Sequence, residues 1–506
     1  MSGPDDLARR GSRAALALAG RSIALRLLTF GGTIVLARLL DPTDFGTYGM
    51  IAFVIAIWTA VGDFGLGAAL VQQAAPPTRI QLGTVWTAQQ GIALAAVAAV
   101  WLLAPALGLL GPNMPAEGVW MLRVLAVGLL FSSLRALPAV MMERELRFGP
   151  LAAAEVLQQA TFYGVAIGLA CGHAGAWSFV VGGLAQLAVG ALVVNLAWPH
   201  LPRVGLDRAA LAELFGFGVA YQASTVILTI RDAPLPFLVG VSTGTVSAGL
   251  MQFALRIAMT IATIDEMVAR IAFPAFSRLQ SDPARRTRAL ETAVLMSALV
   301  LAPAQMWLAA LAPAAVPFVF GVQWQEAILP LQLLCVATLF RFPARYLRQL
   351  EFAQGATRRG LAMSIGTTAL TLVCSIAGLS ILGLSGAALG FLVGSVAGLG
   401  ISIRLAEGAP GLAWKGYWSI IGTGAAAGLA GVAALDGIVG ALFSGSSSAT
   451  NAESAIVAGA LATSVFSLVC LVGLFVTSRP ALRLAWQLAR ASGSGSERPS
   501  EAPNRG

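Results

Sequence analysis

Charge is what this chain has least of. Asp, Glu, Lys and Arg make up 11% of its 506 residues, against roughly 25% in an ordinary soluble domain. A water-facing surface cannot be covered with so few charges, so a soluble globular enzyme is excluded. Lysine is nearly absent: Lys415 is the single example among 32 basic residues. Histidine occurs twice, as His173 and His200, with no partner nearby in sequence. The four cysteines (Cys171, Cys335, Cys374, Cys470) lie in or beside apolar runs and lack the short Cys/His spacing of a metal site. They read as small buried hydrophobes. There is no GxxxxGK[ST] phosphate loop, no HExxH and no GxSxG. No polar stretch is long enough to hold a soluble domain, which argues against a membrane-bound transferase or polymerase. Segments of about 10 residues with alternating polarity, the mark of a β-barrel, are also missing.

What is present is apolar length. Hydrophobic residues make up 57% of the chain and the mean hydropathy is +0.81. Apolar runs exceed 20 residues, so the expected fold is an all-α polytopic membrane protein. Fourteen spans are expected: about 14–40, 46–72, 83–110, 117–142, 151–171, 175–198, 212–241, 248–272, 290–312, 327–350, 360–382, 386–406, 414–441 and 453–477. With the N-terminus in the cytoplasm, the seven outer turns contain no Lys or Arg. The inner segments carry Arg79, Arg144, Arg147, Arg203, Arg208, Arg285, Arg286, Arg288, Arg358 and Arg359. This asymmetry predicts an even number of spans with both termini cytoplasmic. The net charge of +9 therefore reads as arginine facing anionic lipid rather than nucleic acid. The N-terminal apolar stretch reads as a first span serving as its own insertion signal.

Weak internal similarity suggests two six-span lobes. An offset of 203 aligns Gly46 with Gly249 and Asp63 with Glu266, and Leu137-Pro138-Ala139 resembles Phe342-Pro343-Ala344. The expected organisation is a cytoplasmic tail (1–13), an N-lobe (14–198), a cytoplasmic linker (199–211), a C-lobe (212–406), two appended spans (407–477) and a cytoplasmic tail with an amphipathic start and a disordered end (478–506). Even-numbered parallel repeats enclose a central cavity suited to alternating access.

Charges inside the membrane are costly, at about 2.5–3.5 kcal/mol each on insertion scales, and mark functional positions. The basic candidates are Arg21 and Arg26 in span one, Arg123 in span four, Arg231 in span seven and Arg256 in span eight. Guanidinium binds phosphate bidentately and stays charged at any pH, so surplus arginine in a cavity suits an anionic cargo. The acidic candidates are Asp63, Asp232, Asp265 and Glu266. Each reads equally as a counter-ion to a cavity arginine or as a carrier of a coupling proton or sodium ion. Arg38 and Arg135 lie towards span ends, where long side chains snorkel.

The runs LARLLDPTDFGTYGM and GDFGLGAALVQQ resemble the opening of polysaccharide-export flippases of the multidrug/oligosaccharidyl-lipid/polysaccharide exporter superfamily. LPAVMMERELRFGPLAAAEVLQQ, AWSFVVGGLAQ and FPAFSRLQSDPARR resemble later junctions of the same family, and RDAPLPFLVG places Asp232 on its acidic position. The resemblance implies two six-helix lobes that move a polyprenyl-pyrophosphate-linked oligosaccharide from the inner to the outer leaflet of the bacterial inner membrane. It implies cavity arginines on the pyrophosphate, no cofactor, and coupling to a proton or sodium gradient. It also implies membrane lipids, a polysaccharide polymerase and chain-length machinery as partners, and O-antigen, capsule or exopolysaccharide as the product. The alternatives are a peptidoglycan-precursor flippase and a cation-coupled multidrug exporter of the same superfamily.

Overall fold

The computed structural model describes residues 25–61, 65–72, 76–110, 116–145, 147–199, 204–212, 234–278, 282–406, 414 and 417–426. Every regular element among them is helical. Residues 25–39 form α1. There follow α2 (Pro42–Val61), α3 (Leu66–Gln72), α4 (Arg79–Leu110), α5 (Ala116–Ala126), α6 (Gly128–Arg144), α7 (Phe148–Cys171) and α8 (Trp177–Ala197). After these come α9 (Pro234–Thr243), α10 (Thr245–Arg278), α11 (Pro283–Ala315), α12 (Ile328–Ala353) and α13 (Thr357–Leu405). A π-turn, Val316–Phe320, and a 3-10 turn, Val322–Ala327, join α11 to α12. The helices follow from the solvent: in hydrocarbon each backbone polar group needs an internal partner, and Ala/Leu-rich runs supply it as helix.

Seven helical stretches among the described residues are long and apolar enough to cross a membrane: Arg79–Ala106, Glu117–Arg144, Trp177–Ala197, Thr245–Ala262, Ala284–Phe320, Val322–Ala353 and Arg358–Leu405. The chain is an all-α polytopic membrane protein. The stretch Arg358–Leu405 has 48 residues, about 72 Å of helix at 1.5 Å per residue, against a hydrocarbon core of about 30 Å. It divides at Gly383, whose backbone is non-helical (φ 61°, ψ −137°). Its two arms return against each other so tightly that a Cβ on Gly378 would stand 2.0 Å from the Gly386 carbonyl oxygen. These arms are the expected spans at 360–382 and 386–406.

The expected single span at 46–72 is interrupted. Helix α2 ends at Val61, α3 opens at Leu66, and Gly65 between them has φ +72°. Glycine is a poor helix former, and residues 62–64 lie outside the described residues. The last two expected spans lie outside the described residues except for 414 and 417–426.

The chain divides into two compact units. One is Met1–Phe253 with Val316–Ala327, and the other is Ala254–Ala315 with Ile328–Gly506. In the first unit, α2 and the start of α10 meet glycine to glycine. A Cβ on Gly46 would stand 1.8 Å from the Thr245 carbonyl oxygen, and one on Gly249 would stand 1.7 Å from that of Pro42. The offset that aligns the two glycines also aligns Pro42 with Thr245, so the contact has the reciprocity of a self-complementary interface. Beside it, Phe53 packs on Phe237 of α9 at 4.9 Å.

The turn segment 316–327 completes this unit. Trp324 is fully buried, stacks on Phe253 at 4.3 Å and meets the edge of Phe45 at 4.8 Å. Its indole N–H and the Gln323 amide both donate to the Ala37 carbonyl at 2.9 Å. The Arg38 guanidinium donates to the carbonyls of Val319 (2.8 Å) and Phe318. The Ala37 carbonyl near the end of α1 and the Phe318 and Val319 carbonyls of the π-turn thus find side-chain donors.

In the second unit, α10, α11 and α12 share a core that includes Phe276, Leu290, Val294, Leu339, Leu347 and Leu350. Gln305 Nε2 donates to the Ala258 carbonyl at 2.9 Å and Gln332 Nε2 to that of Ala309 at 2.8 Å. Interhelical bonds of this kind are worth about 0.6–2 kcal/mol in membranes.

Candidate functional site

Three helices of the second unit converge on one carboxylate. Asp265 of α10 is 2% exposed. Ser297 of α11 donates its hydroxyl to Asp265 Oδ1 at 2.8 Å, and Tyr346 of α12 donates to the same oxygen at 2.6 Å. The two hydroxyl oxygens lie 2.6 Å apart. Arg345 of α12 places Nη1 3.1 Å from Asp265 Oδ2. Both carboxylate oxygens therefore have partners, and Ser297 and Tyr346 are themselves buried. The desolvation cost of the buried charge is offset by charge-assisted hydrogen bonds and one cation. Asp265 thus fastens Arg345, whose side chain is 30% exposed, and both hydroxyls to one point among the three helices.

A second charged group stands at the end of α12. Glu351 is fully buried, with Oε2 3.7 Å from Arg359 Nη1 of α13. Arg348 is buried one turn earlier, and Arg341 lies 4.9 Å from the centre of the Phe391 ring. Arg341, Arg345 and Arg348 recur at i, i+4 and i+7, the spacing of one helix face.

The positions expected from sequence are distributed as follows. Asp265 is at the centre of the cluster. Glu266 follows it on α10. Arg256 is half-buried on the same helix, nine residues before Asp265, and Arg26 is half-buried on α1. Arg123 lies on α5 between two indoles, 4.9 Å from the centre of Trp120 and 5.8 Å from that of Trp101. Its Nε and Nη2 donate to the Trp101 carbonyl at 3.3 and 3.2 Å, and the Trp101 indole N–H donates back to the Arg123 carbonyl at 3.0 Å. Trp101 and Trp120 are exposed, so this arginine is set among apolar surface. Arg21, Asp63, Arg231 and Asp232 lie outside the described residues.

Sequence reasoning passes over Arg345, Tyr346, Ser297 and Glu351. The i, i+4, i+7 arginine stripe within an apolar span is the signal that marks the first of these. The hydroxyls carry no comparable signal, because Ser and Tyr are common in spans. No group of three or more His, Cys, Asp or Glu side chains able to hold a metal occurs among the described residues.

Residues 35–329 match the family described as polysaccharide biosynthesis protein. The lipopolysaccharide biosynthesis protein WzxC of Escherichia coli K12 is 24% identical over 366 residues, covering 71% of this chain and 73% of that protein. The succinoglycan biosynthesis transport protein ExoT of Rhizobium meliloti is 27% identical over 320 residues, covering 61% and 63%. Among solved structures, the lipid II flippase MurJ in an inward closed conformation superposes with a TM-score of 0.74 at 13% identity, over 92% of this chain and all of that one. An inward-facing multidrug transporter of the MATE family gives 0.58 at 17% identity, over 75% and 94%. At such identities the structural likeness is one of fold.

Proposed function

Because the chain belongs to the polysaccharide biosynthesis protein family, we propose that it is a flippase. Its cargo is a polyprenyl-pyrophosphate-linked oligosaccharide, carried across the bacterial inner membrane for O-antigen, capsule or exopolysaccharide synthesis. The observation that carries this reading is the family match over 35–329, and the fold shared with a lipid flippase agrees with it. Arg26 and Arg256, with Arg21 and Arg231, are the arginines for the pyrophosphate and any sugar acids, whereas the Arg123 guanidinium is already held by the Trp101 carbonyl and two indoles. Transport proceeds by alternating access with both termini in the cytoplasm. Coupling runs through a proton or sodium gradient, and Asp265, whose carboxylate joins α10, α11 and α12 through Ser297, Tyr346 and Arg345, is the described acidic group offered for it. A polymerase and chain-length machinery receive the product.

The test is a deletion strain scored for surface polysaccharide, with lipid extracts assayed for completed polyprenyl-pyrophosphate-linked units. Lost surface glycan with units trapped on the inner leaflet is the expected result. Intact glycan with raised drug sensitivity would refute it in favour of multidrug export. Arrested peptidoglycan precursor would refute it in favour of a cell-wall flippase.

A further inference from the structure

The first unit contains a small cavity of about 150 Å³ among α2, α4 and α6. Its inner wall is Ala93, Ala96 and Leu129, all buried, with Gln89 beside them. Its mouth carries Trp58, Thr59, Ser132 and Ser133, and Thr59 is exposed there. The α4 and α6 positions fall near the middle of the stretches Arg79–Ala106 and Glu117–Arg144, and Trp58 and Thr59 lie in the last turn of α2. The Thr59 hydroxyl donates to the Ile55 carbonyl at 2.9 Å and the Ser133 hydroxyl also lies 2.9 Å from the Leu130 carbonyl, which leaves their oxygen lone pairs as acceptors. Behind the mouth, the Ser133 hydroxyl donates to Gln90 Oε1 at 2.9 Å, while Gln90 Nε2 is buried with no hydrogen-bond partner.

The lining has a definite chemical character. It offers one indole, two serine hydroxyls, one threonine hydroxyl and one amide, and no ionisable side chain. That combination does not suit phosphate, which needs cations, or a cationic drug, which needs an acid. It suits a neutral sugar, whose C–H face lies on an aromatic ring and whose hydroxyls both donate and accept. The size points the same way: sites that enclose drug-sized ligands run to about 300–1,000 Å³, whereas this one has room for a single ring.

We infer that the cavity at Trp58, Gln89, Ser132 and Ser133 is a subsite for one uncharged sugar of the cargo. The inference rests on the reading of that cargo as a glycan. It separates recognition by chemistry: uncharged sugar hydroxyls are read here, and arginines elsewhere take the anionic group. Ala136 lines the same cavity and is half-buried, so Ala136→Phe fills the space without removing a hydrogen-bonding group.

The test uses the full chain in lipid nanodiscs and saturation-transfer NMR with glucose, galactose, N-acetylglucosamine, rhamnose and glucuronate, each alone. The expected result is transfer to at least one neutral sugar and weaker transfer to glucuronate. Ala136→Phe abolishes it, and the double variant Ser132→Ala/Ser133→Ala weakens affinity about ten-fold. Transfer to none of the neutral sugars, or transfer undiminished in Ala136→Phe, overturns the inference. If Ala136→Phe does not fold, the serine double variant decides alone, and unchanged affinity there is equally fatal. Complementation of the deletion strain keeps the two readings apart. Wild type that fails to restore surface glycan sinks the flippase reading. Wild type that restores it while a non-binding Ala136→Phe restores it equally well sinks the subsite only.

Discussion

Replacing Gly46 or Gly249 by alanine tests whether the first unit depends on the glycine crossing of α2 and α10. Each new methyl group meets a backbone carbonyl oxygen, at 1.8 Å for Gly46 and 1.7 Å for Gly249, where ordinary contact begins at 3.4 Å. Backbone cannot rotate out of the way as a side chain can, so the helices must part by more than an ångström. Overpacking of this kind costs about 1–3 kcal/mol, which lowers Tm by about 2–10 °C for a unit of this size. The two substitutions are not independent. Once one methyl has parted the helices, the second finds part of its space already made. The double variant should therefore lose less than the sum of the singles, by about 1 kcal/mol. The assay is thermal unfolding of purified wild type, both singles and the double in the same lipid nanodiscs. Strictly additive losses, or a neutral Gly46→Ala, would refute the reciprocal contact.

Other predictions follow from the same geometry. Asp265→Asn leaves Arg345 without its counter-charge and should cost about 2–4 kcal/mol, below the range for fully buried pairs because Arg345 is 30% exposed. Adding Arg345→Gln should recover part of that loss, and a double variant as damaged as the sum would dismiss the coupling. Trp324→Ala should cost about 3–5 kcal/mol in thermal unfolding, and a loss below 1 kcal/mol would show that segment 316–327 does not hold the first unit together. Arg123→Gln should cost about 1 kcal/mol through its two indole contacts, while an unchanged Tm would leave that arginine structurally idle. Burial pushes the Asp44 carboxyl up from 3.8, the Asp41 charge adds to the rise, and the Asp41 and Ala176 N–H groups offset part of it. A raised folded-state pKa gives stability that is full below the unfolded pKa and is lost as pH rises through the folded value. Stability measured upward from pH 3.8 should thus fall less steeply in Asp44→Asn than in wild type, and parallel slopes would contradict the assignment.

Element identity and most breaks were legible in the sequence because they depend on composition. The break at 383–385 was readable from Gly-Leu-Ser, and that at 172–174 from Gly-His-Ala. The structure places Gly383 and His173 there with positive φ. The left-handed Gly65 within the expected span 46–72 was missed because the surrounding hydropathy stays high across it. The site was less legible. In lipid a span is apolar on most faces, so periodicity does not fix its rotation, and a charge cannot be assigned to a neighbour. Asp265 was identifiable as a costly buried acid, but its union with Ser297 and Arg345 depends on which faces of α10, α11 and α12 meet. An outer turn was expected over 313–326, which overlaps segment 316–327. Its docking on Ala37, almost 300 residues earlier, leaves no local trace.

That docking bears on how the protein is made. The first unit is not contiguous: it needs Val316–Ala327, which a ribosome delivers only after the sixty-odd residues that follow Phe253. At about 5–20 residues per second, α1 through α9 wait several seconds in the membrane with Phe45, Phe253 and the Ala37 carbonyl still lacking Trp324. A fragment ending at Phe253 would never acquire it, so the N-terminal half expressed alone should be a substrate for membrane quality control, and supplying the remainder as a separate chain should rescue it.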